Sequence, residues 1–175
     1  MIYSNKFIEI SNEVLKDTSY DYFSEVSNCL RDNVSEEIKT EEKYIQRMKE
    51  FSFKGTVKAK FLLYFLETCE TTDINIVSLE GTLEHVIAKK NITVTEITNN
   101  LGNFTLLEGG NSKNEARGNN SLGAEPYDSK KEAYPKSCYE ITKNIVNDFP
   151  DFSELKIIER CVLMSKKIYK YSQYF

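Results

Sequence analysis

Two short apolar runs rich in β-favouring residues, Leu83-Glu84-His85-Val86-Ile87 and Leu101-Gly102-Asn103-Phe104-Thr105-Leu106-Leu107, stand on either side of an Asn-rich turn. Asn111-Ser112-Lys113-Asn114 follows them. That order reads as strand, loop, strand, helix, with His85 closing the first strand, Asn103 opening the second and Asn111 on the helix. A hairpin of this size cannot stand alone in water, so the rest of the chain must supply its core. His85 is the only histidine in 175 residues. Any chemistry at neutral pH that needs an unperturbed imidazole therefore runs through it.

The remaining segments carry helical spacing. Phe7, Ile10, Val14 and Leu15 recur three to four apart, as do Tyr22, Phe23, Val26, Cys29 and Leu30. Asn33 with Glu36 forms a capping-box pattern opening a third helix, whose apolar face is Ile38, Tyr44, Ile45, Met48 and Phe51. Lys54 to Cys69 reads as a helix that becomes apolar all round through Phe61-Leu62-Leu63-Tyr64-Phe65-Leu66, the mark of a buried element. Ile74, Ile76 and Leu79 alternate weakly as a short strand before Gly81. Residues 91–120 hold eight Asn, and five of the seven Gly fall between Gly102 and Gly123, so this region is mostly shaped loop. Ser137 to Asn147 reads as a helix. Asp151 with Glu154 is positioned to cap a last helix, along which Leu155, Ile158, Val162, Ser165 and Tyr169 line one face. The expected class is mostly α-helical α+β, a helical bundle carrying a two-stranded antiparallel hairpin plus helix. Residues 1–70 form its helical N-terminal part, and 71–175 the hairpin unit with the C-terminal helices.

Composition narrows the function. Hydrophobic residues make up 40% and charged residues 29% of the chain, ordinary for a water-soluble globular protein. No run approaches the roughly 18 apolar residues of a membrane span, and the start lacks the basic and apolar regions of a signal peptide. Cys29, Cys69, Cys138 and Cys161 are far apart, without Cys-x-x-Cys or a second His to complete a zinc site. They read as reduced thiols of a cytoplasmic protein, and no zinc is expected. The net charge of −4 argues against strong non-specific DNA binding. The charge is uneven, however. Residues 86–175 carry 13 Lys and Arg against 11 Asp and Glu, and residues 1–85 carry 10 against 16. The half that follows His85 and carries the rest of the motif is the half suited to a phosphate backbone.

Five blocks in order carry a family resemblance: Thr82-Leu83-Glu84-His85-Val86, Gly102-Asn103-Phe104-Thr105-Leu106-Leu107, Asn111-Ser112-Lys113, Lys130-Lys131-Glu132-Ala133-Tyr134-Pro135-Lys136-Ser137 and Ile157-Ile158-Glu159-Arg160. Together they resemble the ββα-metal finger of HNH nucleases, and most of all the C-terminal nuclease domain of GmrSD-type (type IV) restriction endonucleases. Two departures stand out. The family usually has proline three residues after the histidine, where this chain has Ala88, and Asn114 to Gly123 reads as an insertion. The resemblance implies a metal-dependent endonuclease acting on duplex DNA in bacterial anti-phage defence, with modified phage DNA as target. It also implies an NTP-hydrolysing, DNA-sensing domain or subunit as partner.

The chemistry implied is hydrolysis of a phosphodiester. It needs an activated water, a cation on the developing charge and in-line geometry. His85 would take the proton from water, provided a fixed acceptor holds its other ring nitrogen. Asn103 would tie the inter-strand loop to the His85 strand, since an amide both donates and accepts. Asn111 would present an oxygen to Mg²⁺, with Mn²⁺ as substitute. Glu84 stands between metal ligand and fold-supporting acid, because neighbouring side chains on a strand face opposite ways. Lys113 would contact phosphate, Lys130 and Lys131 would flank the DNA or sit as solvated surface lysines, and Arg160 would brace the finger or touch DNA. Two rival readings remain at this point: a catalytically inactive helical interaction module, and an RNA-cleaving toxin with the same site.

Overall fold

The computed structural model describes residues 40–54, 56–71, 80–108 and 122–172. It is mostly α-helical, with one two-stranded antiparallel sheet. In chain order the elements are α1 (Glu41–Glu50), α2 (Thr56–Glu70), β1 (Thr82–His85), a 3-10 turn (Lys89–Asn91), the short α3 (Thr95–Thr98), a 3-10 turn (Leu101–Asn103) and β2 (Phe104–Leu107). Then come α4 (Tyr127–Ala133), a 3-10 turn (Tyr134–Lys136), α5 (Glu140–Asp148) and α6 (Glu154–Ser172). The helices expected over residues 7–30, the Asn33–Glu36 box, the strand at Ile74–Leu79 and the helix carrying Asn111 and Lys113 lie outside the described residues, as does most of the Asn114–Gly123 insertion.

The hairpin pairs Thr82 with Leu107, Leu83 with Leu106, Glu84 with Thr105 and His85 with Phe104. Its floor is α2, whose residues from Phe61 to Thr68 are all buried. One core cluster joins Met48, Phe53 and the α2 aromatics to Leu101, Phe104 and Leu106, and closes over them with Tyr139, Cys161, Met164 and Ile168. A second gathers Val86, Leu107, Tyr134, Ile145, Phe149 and Ile157 behind the loop that follows β1. Each fully buried aliphatic of this kind contributes about 1.5–3 kcal/mol.

Several boundaries move for identifiable reasons. The helix over Tyr44, Ile45 and Met48 begins after Thr40, whose extended backbone and hydroxyl, accepting from Lys43 N at 3.4 Å, form the N-cap. Strand β1 ends at His85, short of the Val86-Ile87 end of the apolar run, because Asn103 draws those two residues away: its carbonyl accepts from Val86 N and its side-chain oxygen from Ile87 N, each at 2.8 Å. Helix α5 begins at Glu140 rather than Ser137. The buried Glu67 carboxylate on α2 accepts from Glu140 N and Ile141 N, both at 2.9 Å, and caps α5 from another helix. On α6 the buried face is Ile157, Arg160, Cys161, Met164, Ser165 and Ile168, and Leu155 is 84% exposed. The expected face was turned by roughly one residue, since apolar side chains surround this helix and spacing alone cannot choose among them. Glu154 likewise turns to the loop, accepting from the Thr93 hydroxyl at 2.8 Å.

Gly102 explains why α6 settles where it does. A Cβ there would lie 1.9 Å from Ile157 O and 2.7 Å from Cys161 N, so the loop before β2 rests directly on the helix backbone. Arg160 locks this contact from below, donating to Gly102 O at 2.9 Å and Phe104 O at 2.6 Å.

Candidate active site

His85 sits at the end of β1, where the hairpin opens into the loop. Its ring packs edge-on against Phe104, with centroids 4.6 Å apart. Burial, assisted by the positive charge of Lys89, pulls its pKa down to about 4, so the imidazole is neutral at pH 7. The side chain of Asn99 lies beside it and acts in the opposite direction, favouring the charged ring. Nε2 is buried and has no hydrogen-bond partner among the described residues. A neutral, unpartnered ring nitrogen carries a lone pair or a proton available to a ligand. The ring lines a cavity of about 300 Å³ with Leu83, Glu84, Ala88, Lys89, Lys90, Gly123 and Ala124.

Asn103 is completely buried and bonds in three directions. Its oxygen accepts from Ile87 N, and its amide nitrogen donates to Ile87 O at 3.1 Å and Thr98 O at 3.0 Å. The side chain therefore ties both ends of the inter-strand loop to the residue two beyond His85. Asn100 performs a matching task one turn away, accepting from Gly102 N at 2.9 Å and donating to Lys49 O at 3.0 Å. The loop is thereby fastened to the end of α1.

The Lys-Lys-x-x-Tyr block is divided by helical geometry. Lys130 and Tyr134, four apart, both face inward and are 0% exposed. Lys130 corrects the sequence expectation, since neither a DNA-flanking nor a solvated surface role fits a fully buried side chain. Its Nζ pairs with the Glu84 carboxylate and donates to His85 O at 2.6 Å. Lys131 faces outward, with Asp128 at 2.8 Å holding its pKa up and the Tyr127 ring beneath it. Arg160 is buried on the carbonyls of the loop, where it braces the hairpin and is out of reach of DNA.

Glu84 faces away from the imidazole and has Lys130 against it. Burial raises its pKa against the pull of that lysine. The Lys130 ammonium binds one oxygen of this carboxylate, which suits the fold-supporting acid of the two roles expected for Glu84. Among the described residues no three His, Cys, Asp or Glu gather to hold an ion. Among the described residues the buried side-chain atoms without a hydrogen-bond partner are His85 Nε2 and the Tyr134 hydroxyl, which do not by themselves make the oxygen cage that Mg²⁺ requires. Asn111, the expected oxygen ligand, and Lys113, the expected phosphate contact, lie outside the described residues.

Sequence reasoning missed Lys89, Lys90 and Asn99. All three lie on the loop that leaves the histidine strand, and the two lysines follow His85 by four and five residues, a signal open to reading.

The fold and site define a mostly helical α+β domain in which a two-stranded hairpin presents a lone neutral imidazole to a lysine-edged cavity. The chain belongs to the family of GmrSD restriction endonucleases, C-terminal domain, which matches residues 9–167. It is accordingly a restriction nuclease domain, with DNA as the substrate of its family. Comparison with curated proteins and with solved structures gave no match. No helix among the described residues is long and apolar enough to cross a membrane.

Proposed function

We propose that the chain is an HNH-type, metal-dependent endonuclease that hydrolyses phosphodiester bonds of modified phage DNA, with His85 as general base. The observation that carries this is the buried Nε2 of a neutral imidazole, without a hydrogen-bond partner among the described residues, in a side chain that lines a cavity edged by Lys89 and Lys90. Nε2 takes a proton from a water molecule as that water attacks phosphorus, and the bond to the leaving sugar oxygen breaks. Asn99 is the neighbour that orients the ring, Asn103 fixes the loop behind it, and Lys130 holds the His85 carbonyl. An ion of Mg²⁺, or Mn²⁺ in its place, would stabilise charge on the leaving oxygen, and Asn111 is the ligand this reading assigns to it. The DNA-sensing, NTP-hydrolysing partner belongs to the same reading and would select the target.

The test is nicking of supercoiled and linear duplex DNA, unmodified and phage-modified, with Mg²⁺, Mn²⁺ or EDTA. Cutting that needs the divalent ion and disappears in His85→Ala and Asn111→Ala, with circular dichroism unchanged, supports the reading. Equal cutting by His85→Ala would overturn it, and preferential cutting of structured RNA would replace the substrate.

A further inference from the structure

We propose that Lys89 and Lys90, on the 3-10 turn that leaves β1, bind neighbouring backbone phosphates of duplex DNA beside His85, so that the domain grips its substrate at one point rather than along a basic stripe. This rests on the nuclease reading and assigns the residues that hold the anion.

Both lysines are exposed, yet both line the cavity into which His85 opens. Their turn is closed by Asn91 N donating to Ala88 O at 2.8 Å and Ile92 N to Lys89 O at 3.3 Å, and buried Ala88 anchors it. The two ammonium groups are thus attached to a fixed backbone one short turn from the imidazole. Neither forms an ion pair among the described residues. Four other surface lysines do: Lys131 with Asp128, Lys143 with Glu140, Lys156 with Glu159 and Lys167 with Glu70; of the exposed lysines that do not, Lys89 and Lys90 are the two that line the His85 cavity. Inside the same cavity wall, Lys130 and Glu84 cancel one another. Among the described residues the cavity mouth therefore keeps two unneutralised positive charges, in a chain whose net charge is −4.

Two charges so close attract a phosphate diester and repel a cationic ligand. The charge of Lys89 already reaches the ring, since it favours neutral His85. A phosphate seated between the lysines would meet the imidazole in its proton-accepting form. A grip of this size is also weak. Each phosphate contact contributes a salt slope of about 0.9 in log K against log[salt], so two lysines supply about 1.8, far below the slope of about 10 of a strong DNA binder. Target choice must then come from elsewhere.

The experiment measures binding of a fluorescein-labelled DNA duplex to the His85→Ala chain by anisotropy, from low to physiological salt. Lys89→Gln and Lys90→Gln should each weaken binding several-fold and flatten the salt slope by about 0.9. The double change should remove both increments, Lys89→Arg with Lys90→Arg should retain binding, and Lys156→Gln should change nothing. Unaltered affinity and slope in the double glutamine variant would overturn the proposal. Cleavage kinetics separate the two readings. Lysine-dependent binding by a chain that cuts nothing under any metal supports the proposal and removes the nuclease reading. Intact cleavage with unchanged KM in the double variant does the reverse.

Discussion

Replacing Lys130 by Met removes one partner of a fully buried ion pair and leaves the other in place. Lys130 is 0% and Glu84 1% exposed, so water cannot take over the lost interaction. Breaking such a pair costs about 3–5 kcal/mol, and the lost bond to His85 O adds about 1 kcal/mol. For a domain of this size each kcal/mol lowers Tm by about 2–4 °C, so the expected drop is on the order of 10 °C. The pH dependence has a definite sign. Without Lys130 the burial of the Glu84 carboxyl is opposed only by a backbone hydrogen bond at His85, so its folded pKa stands further above the unfolded value. Between those two values the folded chain holds a proton that the unfolded chain has released, so stability falls as pH rises. The deficit of Lys130→Met against the natural chain should therefore be larger at pH 8 than at pH 5. Thermal denaturation followed by circular dichroism at both pH values measures it. The double variant Glu84→Leu/Lys130→Met should recover much of the stability, because no charge is left buried. It should stay deficient in DNA cutting, because nothing replaces the bond to the His85 carbonyl. A Tm for Lys130→Met within about 2 °C of the natural chain, or a deficit that grows toward acid, would refute the buried-pair account.

Gly102→Ala should destabilise the chain by more than the usual 1–3 kcal/mol of overpacking, since its methyl would meet the α6 backbone rather than a yielding side chain; urea denaturation measures this. Asn103→Asp should lose the two bonds donated to Ile87 O and Thr98 O and place a carboxylate in their stead, costing about 3 kcal/mol or more; a denaturation midpoint equal to that of the natural chain would contradict the brace. Because His85 has its pKa pulled down to about 4 and acts in its neutral form, kcat/KM should hold from pH 8 to about pH 5 and decline only as pH falls through about 4. Lys89→Gln, by removing the charge that favours the neutral ring, should move that acid limb upward.

The parts of the fold governed by local pattern were legible in the sequence. The hairpin, the buried run on α2 and the places of α1, α5 and α6 followed from periodicity and turn chemistry, whereas the short α3 and α4 were not expected. Asn103 stood out through the HNH resemblance, and an amide that both donates and accepts suits the brace it forms. What escaped were bonds between elements remote in the chain. Nothing near Glu67 indicates that it caps a helix 73 residues on. Nothing near Lys130 indicates burial, since lysines on short helices ordinarily face water. The face of α6 was misjudged because its placement is decided by Gly102 and Arg160, one on each side of a contact between distant segments. Lys89 and Lys90 went unnoticed for a different reason: their significance lies in lining the His85 cavity with no ion-pair partner among the described residues, and both are properties of the folded chain.

The rest of Gly102 upon α6 has a bearing on when this molecule becomes dangerous. The loop that orients the histidine strand is finished by a guanidinium 58 positions downstream. A chain interrupted before residue 157 would keep the ties from Asn103 and Lys130 but lose the helix backbone and the guanidinium on which the loop before β2 rests. On the proposed nuclease reading, cutting by a half-made copy should therefore be weaker than cutting by the chain that has its last helix.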